Sequence, residues 1–371
     1  MTIEDELRRS LAEQASRIEP SRESVARWES TAAGHAGARR RLWVGTAAAV
    51  ALLIAVVAAV VLSTDRPDEK VTTGPARPDP PADIKCPETG QDPPARFDAA
   101  MASDRDGLLV FGGNDGRTYV GETWASTCGH WTRLSPSSSP PADGRSLAAF
   151  DTEAAEVRLV AGDGSVWAWK GDDWRMLSSG GLPRLADPHM VYDTVGERLL
   201  LVGANGAALE TWAWDGATWA RLGSTDGLGR LRHYGLAHHV GVGKTLLVGG
   251  VTDGDMLAGT TYVWERSRWV ATEEPDGPQG AVIAAYDEQA RAIVAVDDLD
   301  SRTWLWDGTW KLTSAPGPGR RFDAAAAFDP STKGVVLFGG QSIAAASSSA
   351  PRPANDTWRW DKDRWVEARA G

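Results

Sequence analysis

Apolar residues follow two different patterns in this chain. From Leu42 to Leu62 they dominate an uncharged run, LWVGTAAAVALLIAVVAAVVL, of 21 residues. Beyond residue 95 they come in short runs separated by Gly, Asp and polar turns, as expected of strands joined by tight connections. The long run predicts one helix of about 31 Å, close to the hydrocarbon thickness of a bilayer. The short runs predict an all-β domain.

The short runs also repeat. RFDAAMASDRDGLLVFGG (Arg96–Gly113) matches RFDAAAAFDPSTKGVVLFGG (Arg321–Gly340), and each leads to a Thr-Trp and then to a second Trp. Four more worn copies lie between them. The anchors are Trp124 and Trp131, Trp167 and Trp174, Trp212 and Trp219, Tyr262 and Trp269, Trp304 and Trp310, and Trp358 and Trp365. Their spacing is seven in five copies and six in one. Six copies fill 95–367 at about 45 residues each, within the usual range for propeller blades.

Each copy predicts four strands. The first starts near an Arg, and the second is rich in Leu and Val and ends at a Gly pair. The third carries the Thr-Trp, and the fourth returns through the last Trp. Trp212 and Trp214 lie two apart and so share a face, and the turn Asp215–Thr218 brings Trp219 opposite Trp214. The pairs Gly112-Gly113, Gly249-Gly250 and Gly339-Gly340 predict a bulge or positive φ. Such a sheet has two apolar faces, so neighbouring sheets must cover both. Sixteen of the 18 Trp lie in this region. At about 150–250 Å² each, they are explained as the packing between sheets.

The stretches LVFGG at 109–113 and LFGG at 337–340, with the Trp hairpins, resemble kelch repeats. The whole is similar to the kelch-type β-propeller of the galactose oxidase-like group. The likeness covers about three quarters of the chain and is weaker in copies two and three (AGDG, VGANG) and in copy five, where Asp297-Asp298 replaces the Gly pair. WD repeats and sialidase Asp boxes have different spacing. Propellers of this kind often close by strand exchange between the termini. Here the first copy has its own first strand and the last its own fourth, so closure by packing, without exchange, is expected.

Charge adds a cellular address. Residues 1–42 carry eight Lys/Arg and seven Asp/Glu, and Arg39, Arg40 and Arg41 flank the long apolar run, with Trp43 at its edge. That bias predicts a transmembrane helix at 42–62 with the N-terminus cytoplasmic and the bulk extracytoplasmic. The competing reading, a cleaved signal peptide, calls for an apolar run about half as long. The arm, 1–41, begins with a capping box at Thr2 and Asp5 and places Ile3, Leu7, Leu11 and Ile18 on one helical face. It resembles the short cytoplasmic leaders of single-pass bacterial proteins encoded beside sigma factors. Residues 63–94 hold eight Pro and no aromatic residue, which describes an extended linker. Net charge is −11, against a nucleic-acid partner. Outside the membrane Cys86 and Cys128 can oxidise to a disulfide joining the linker's end to the first Trp hairpin; two free thiols are the alternative.

Catalytic signals are sparse. The copper-radical oxidases of the galactose oxidase-like group need a Cys–Tyr crosslink, and no spare Cys or matching Tyr is present, so that chemistry and its cofactor do not carry over. His233, His238 and His239 crowd one segment, but strand alternation sets His238 apart from the other two, and no metal is expected there. Asp253 with Asp255 and Asp297 with Asp298 are the carboxylate pairs a glycan hydrolase would use, but loop carboxylates in an acidic domain explain them better.

Binding is the better expectation. Arg96, Arg232 and Arg321 fall at matching places before the first strand, with Arg145 and Arg184 nearby but out of register. In similar kelch domains such arginines rim the funnel and receive acidic groups. With the loops Asn114–Thr123 and Val251–Thr261, they give Arg96, Asn114, Asp115, Arg232, Asp253 and Arg321 as a candidate contact surface. The alternative role for the arginines is to bond neighbouring carbonyls. The sequence therefore reads as an all-β, six-bladed kelch-type β-propeller behind one transmembrane helix and a short cytoplasmic helical arm. Its expected function is non-enzymatic binding of a protein or cell-envelope glycan. A sensor signalling through the arm to a cytoplasmic partner, and an envelope glycan hydrolase, are the alternatives.

Overall fold

The computed structural model describes residues 84–272, 277–297, 300–342 and 352–368. Each copy of the repeat forms one four-stranded antiparallel sheet in up-and-down order. Sheet 1 comprises Ala100–Ser103, Leu108–Phe111, Thr123–Thr127 and His130–Leu134. Sheets 2 to 6 open with Leu147–Asp151, Ala186–Asp193, Gly235–His239, Val282–Asp287 and Ala325–Asp329, and sheet 6 ends with Arg364–Ala368. Among the described residues no helix is long and apolar enough to cross a membrane. The predicted arm, the transmembrane helix at 42–62 and the linker up to residue 83 lie outside the described residues.

The second strands show why the sheets stack. Leu108, Leu109, Val110 and Phe111 are all buried. Leu108 and Val110 face a core shared with sheet 6, while Leu109 and Phe111 face one shared with sheet 2. Period-two alternation thus sends successive residues into different cores. Six cores result, one between each consecutive pair of sheets and one between the last and the first. The first strands touch in the same cyclic order. This all-β arrangement is consistent with a propeller.

Tryptophan fills these cores as the repeat predicts. Trp214 pairs with Trp219 across the third hairpin, and the same register sets Trp169 against Trp174, Trp264 against Trp269, Trp306 against Trp310 and Trp360 against Trp365. Of the sixteen Trp in the sheets ten are buried and the others half-buried. In sheet 1 the place of the first ring is taken by Ser126, and Trp131 instead packs on Phe338 of sheet 6 at 5.5 Å.

Five of the fourth-strand indoles also bond across a joint. Their N–H groups donate to a Thr on the third strand of the preceding sheet: Trp174 to Thr123, Trp269 to Thr211, Trp310 to Thr261, Trp365 to Thr303, and Trp131 to Thr357. The Thr just before the first anchor ring is therefore an inter-sheet acceptor in these five copies.

Closure involves no exchanged strand, since sheets 1 and 6 each come from their own copy. It is not packing alone, however. Arg96 N–H donates to Ala354 O (2.9 Å), Gly340 N–H to Arg96 O (2.9 Å) and Asp98 N–H to Asp323 O (3.0 Å). The segment ahead of the first strand runs beside the turn at Gly339-Gly340, and main-chain groups meet there. The turn needs both glycines: their φ values are 65° and 93°, and a Cβ on Gly339 would stand 2.5 Å from Arg96 O. Cys86 and Cys128 are joined by a disulfide, with Cα atoms 5.5 Å apart, which staples the approaching chain to the hairpin of sheet 1.

Candidate functional site

One residue at or just ahead of the start of each first strand occupies a matching place. Asp98, Arg145, Asp187, His233, Gly280 and Asp323 each stand three positions before the matching residue Met101, Ala148, Met190, Leu236, Ile283 or Ala326. Five of the six have positive φ: 56° at Asp98, 45° at Asp187, 54° at His233, 73° at Gly280 and 56° at Asp323. Asp and His tolerate that conformation better than branched residues do, and it turns the side chains inward from the strand edge.

The result is a charged cluster at one mouth of the ring. Arg145 Nη1 lies 2.8 Å from Asp187 Oδ1, 3.2 Å from Asp98 Oδ1 and 3.7 Å from Asp323 Oδ1. His233 Nδ1 is 3.4 Å from Asp323 Oδ1, and its backbone N–H donates to Asp187 Oδ2. His189 Nε2 lies 3.7 Å from Asp187 Oδ1. Two loops reach in as well: Tyr119 O–H donates to Asp98 Oδ2 (3.4 Å) and the Gln341 amide to Asp323 Oδ2 (3.2 Å). A cavity of about 130 Å³ follows the axis from this cluster.

Burial and charge act differently on its members. Burial pushes Asp98 up to about 6, with Asp323 and Asp187 adding to the effect and Arg145 opposing it. Asp187 is also buried, but contacts with His189, Arg145 and the His233 amide outweigh that and hold it below the ordinary carboxylate range. Burial lowers His189, whereas the Asp323 carboxylate raises His233.

The residues expected at the contact surface divide. Arg96 and Arg321 are buried, 2 % and 5 % exposed. Arg96 donates to Pro94 O, Gly112 O and Glu122, and Arg321 to Gly339 O, Pro318 O and Asp356. Their forks hold loop carbonyls and do not reach solvent. Arg232 is not in step with them. Leu231 takes the matching place, because Arg232 pairs with Val251 as Phe322 does with Gln341. Arg232 consequently turns outward and pairs with exposed Asp255 at 2.7 Å.

Asp253 is exposed beside Arg230, 3.7 Å away. Asp115 caps its own turn by accepting from the Arg117 and Thr118 N–H groups, and Asn114 bridges Phe97 and Tyr119. All three lie on loops between second and third strands, which a meander places at the same end as the cluster.

The proposed acid pair does not stand free. Asp297 is 1 % exposed and accepts from Arg302 and from the Trp304 indole, while Asp298 lies outside the described residues. The three histidines are also dispersed. His233 precedes the strand Gly235–His239, so alternation along that strand does not orient it. His238 bonds Thr194 and Thr245, and His239 bonds Arg291 O, on a second axial cavity of about 950 Å³ that opens at the other mouth. Both cysteines are in the disulfide, which leaves no thiol for a Cys–Tyr crosslink.

No family model matches the chain, and a comparison with the curated proteins finds no match. The axial cluster itself escaped the sequence reading because its members share a place and not a residue type. The signal that could have found them is the third position of the two RFD motifs, Asp98 and Asp323, carried through the other copies.

Proposed function

We propose that the chain is a six-bladed β-propeller of kelch type, tethered to the membrane by the 42–62 helix with the propeller extracytoplasmic. In this reading it acts as a non-enzymatic binding module for a protein or an envelope glycan. The observation that carries the reading is the convergence at one mouth of the axial charged cluster and the loops holding Asn114, Asp115, Asp253 and Asp255. Tyr119 links the first of those loops to the cluster, as Gln341 does the matching loop of sheet 6, so a ligand seated on the first loop is in contact with the axis. The apolar tip of the second loop, with Met256 69 % exposed, supplies hydrophobic area next to the charges.

A photo-crosslinking residue at Met256 tests the assignment in the native envelope, with one at Val242, on the opposite mouth, as the control. A discrete adduct from position 256 and none from 242 is expected. Adducts from 242 alone would move the binding face to the other side of the ring.

A further inference from the structure

The axial cluster holds more acid than base. Asp98, Asp187 and Asp323 face the single guanidinium of Arg145, which leaves two negative charges in the cluster, and Arg145 and Asp323 line a cavity of about 130 Å³. Two imidazoles border the same space, and the buried atoms His189 Nε2 and His233 Nδ1 make no hydrogen bond of good geometry, standing 3.7 Å and 3.4 Å from carboxylate oxygens of Asp187 and Asp323. Acids alone would call for a solvated cation. Carboxylates beside unbonded imidazole nitrogens are the donor set of a divalent transition metal.

We propose that Asp187, His233 and Asp323, brought together from sheets 3, 4 and 6, form a binding site for one divalent transition-metal ion. One ligand atom from each already lies within 4.8 Å of the others. At ordinary bond lengths of about 2.1 Å three ligands on one ion stand about 3.4–3.6 Å apart, so the set closes when the atoms draw together by at most about 1.4 Å.

Both carboxylates are held by one oxygen, Asp187 Oδ2 by the His233 N–H and Asp323 Oδ2 by Gln341, as outer partners hold metal-bound carboxylates. Arg145 now bonds Asp187 Oδ1 at 2.8 Å with Asp98 Oδ1 at 3.2 Å, so the ion takes over Asp187 and leaves Arg145 to Asp98, and the dication balances the two remaining charges. Such an ion would tie three sheets at the axis. The site stands whichever partner the loop face receives.

Metal uptake by the full chain in detergent tests this without any partner. After chelator treatment and dialysis, Co²⁺ is titrated in and followed by its visible absorption and by elemental analysis. One cobalt per chain, displaced by Zn²⁺, is expected. His233→Gln and Asp323→Asn, both near-isosteric, should each weaken binding about 100-fold or more, whereas Asp115→Asn on the same face should not. The near-ultraviolet signal of the tryptophans verifies that each variant is folded. Wild-type chain that takes up no cobalt, or a folded His233→Gln that binds as tightly as wild type, overturns the proposal.

Discussion

Five joints between sheets carry a tryptophan–threonine hydrogen bond, and one does not. Where sheet 3 meets sheet 2, the residue before Trp167 is Val166, and the Trp219 indole N–H is buried without a partner among the described residues. At the other five the distance from indole nitrogen to threonine hydroxyl runs from 2.8 to 3.2 Å. The comparison separates two roles of the Thr-Trp pair. The Trp fills the core of its own joint, while the Thr serves the ring of the next sheet. The Val166-Trp167 pair retains the first role through Trp167 and lacks the second. The 2–3 joint is compensated by apolar area, since Val160, Val166, Leu199, Leu201 and Trp214 form its core.

The largest expected contrast between joints is in their response to acid. The 3–4 joint includes His238, whose Nε2 lies 2.8 Å from Thr194 Oγ1 of sheet 3. Burial pushes its pKa down to about 4. In the unfolded chain an imidazole titrates near 6.5, so between these values the unfolded state takes a proton that the folded state refuses. Stability is full above about pH 6.5 and falls as the pH drops towards about 4, by about 3 kcal/mol at most. Denaturant unfolding at about pH 7.5 and 4.5 should show a loss in wild type that exceeds the loss in His238→Gln by that order. Equal losses would show that His238 is not held neutral.

Breaking a regular joint comes next. Thr303→Val leaves the Trp365 indole N–H buried and unpaired, as Trp219 is now, and should cost about 1–3 kcal/mol in the same assay. Val166→Thr is the reverse change. It supplies the missing acceptor for Trp219 and should stabilise by about 1 kcal/mol. If it destabilises instead, the 2–3 joint has repacked around Val166 and the joints are not equivalent.

The sequence was informative where one residue type recurs at a fixed spacing. Trp214 opposite Trp219 and the positive φ of the Gly pairs follow from period-two geometry and from glycine's lack of a Cβ, and both are local. The Cys86–Cys128 bond was readable as soon as the two were the only cysteines outside the apolar run.

The site was harder to read. Repeated arginine drew attention to Arg96 and Arg321, but their large planar forks are buried under loop carbonyls. Arg232, apparently a third member, is displaced by one residue, which in extended chain reverses its side. Asp98, Arg145, Asp187 and His233 come from four sheets and are joined only by ring geometry that no local pattern encodes.

The account rests on sheets 1 and 6 meeting across residues 226 apart in sequence, through Trp131 and Thr357. A double-mutant cycle with Trp131→Phe and Thr357→Val measures that contact directly. Coupling of about 1 kcal/mol is expected, because either change alone removes the same hydrogen bond. Coupling indistinguishable from zero, with both single variants folded, would mean that the first and last sheets do not touch and the ring is open.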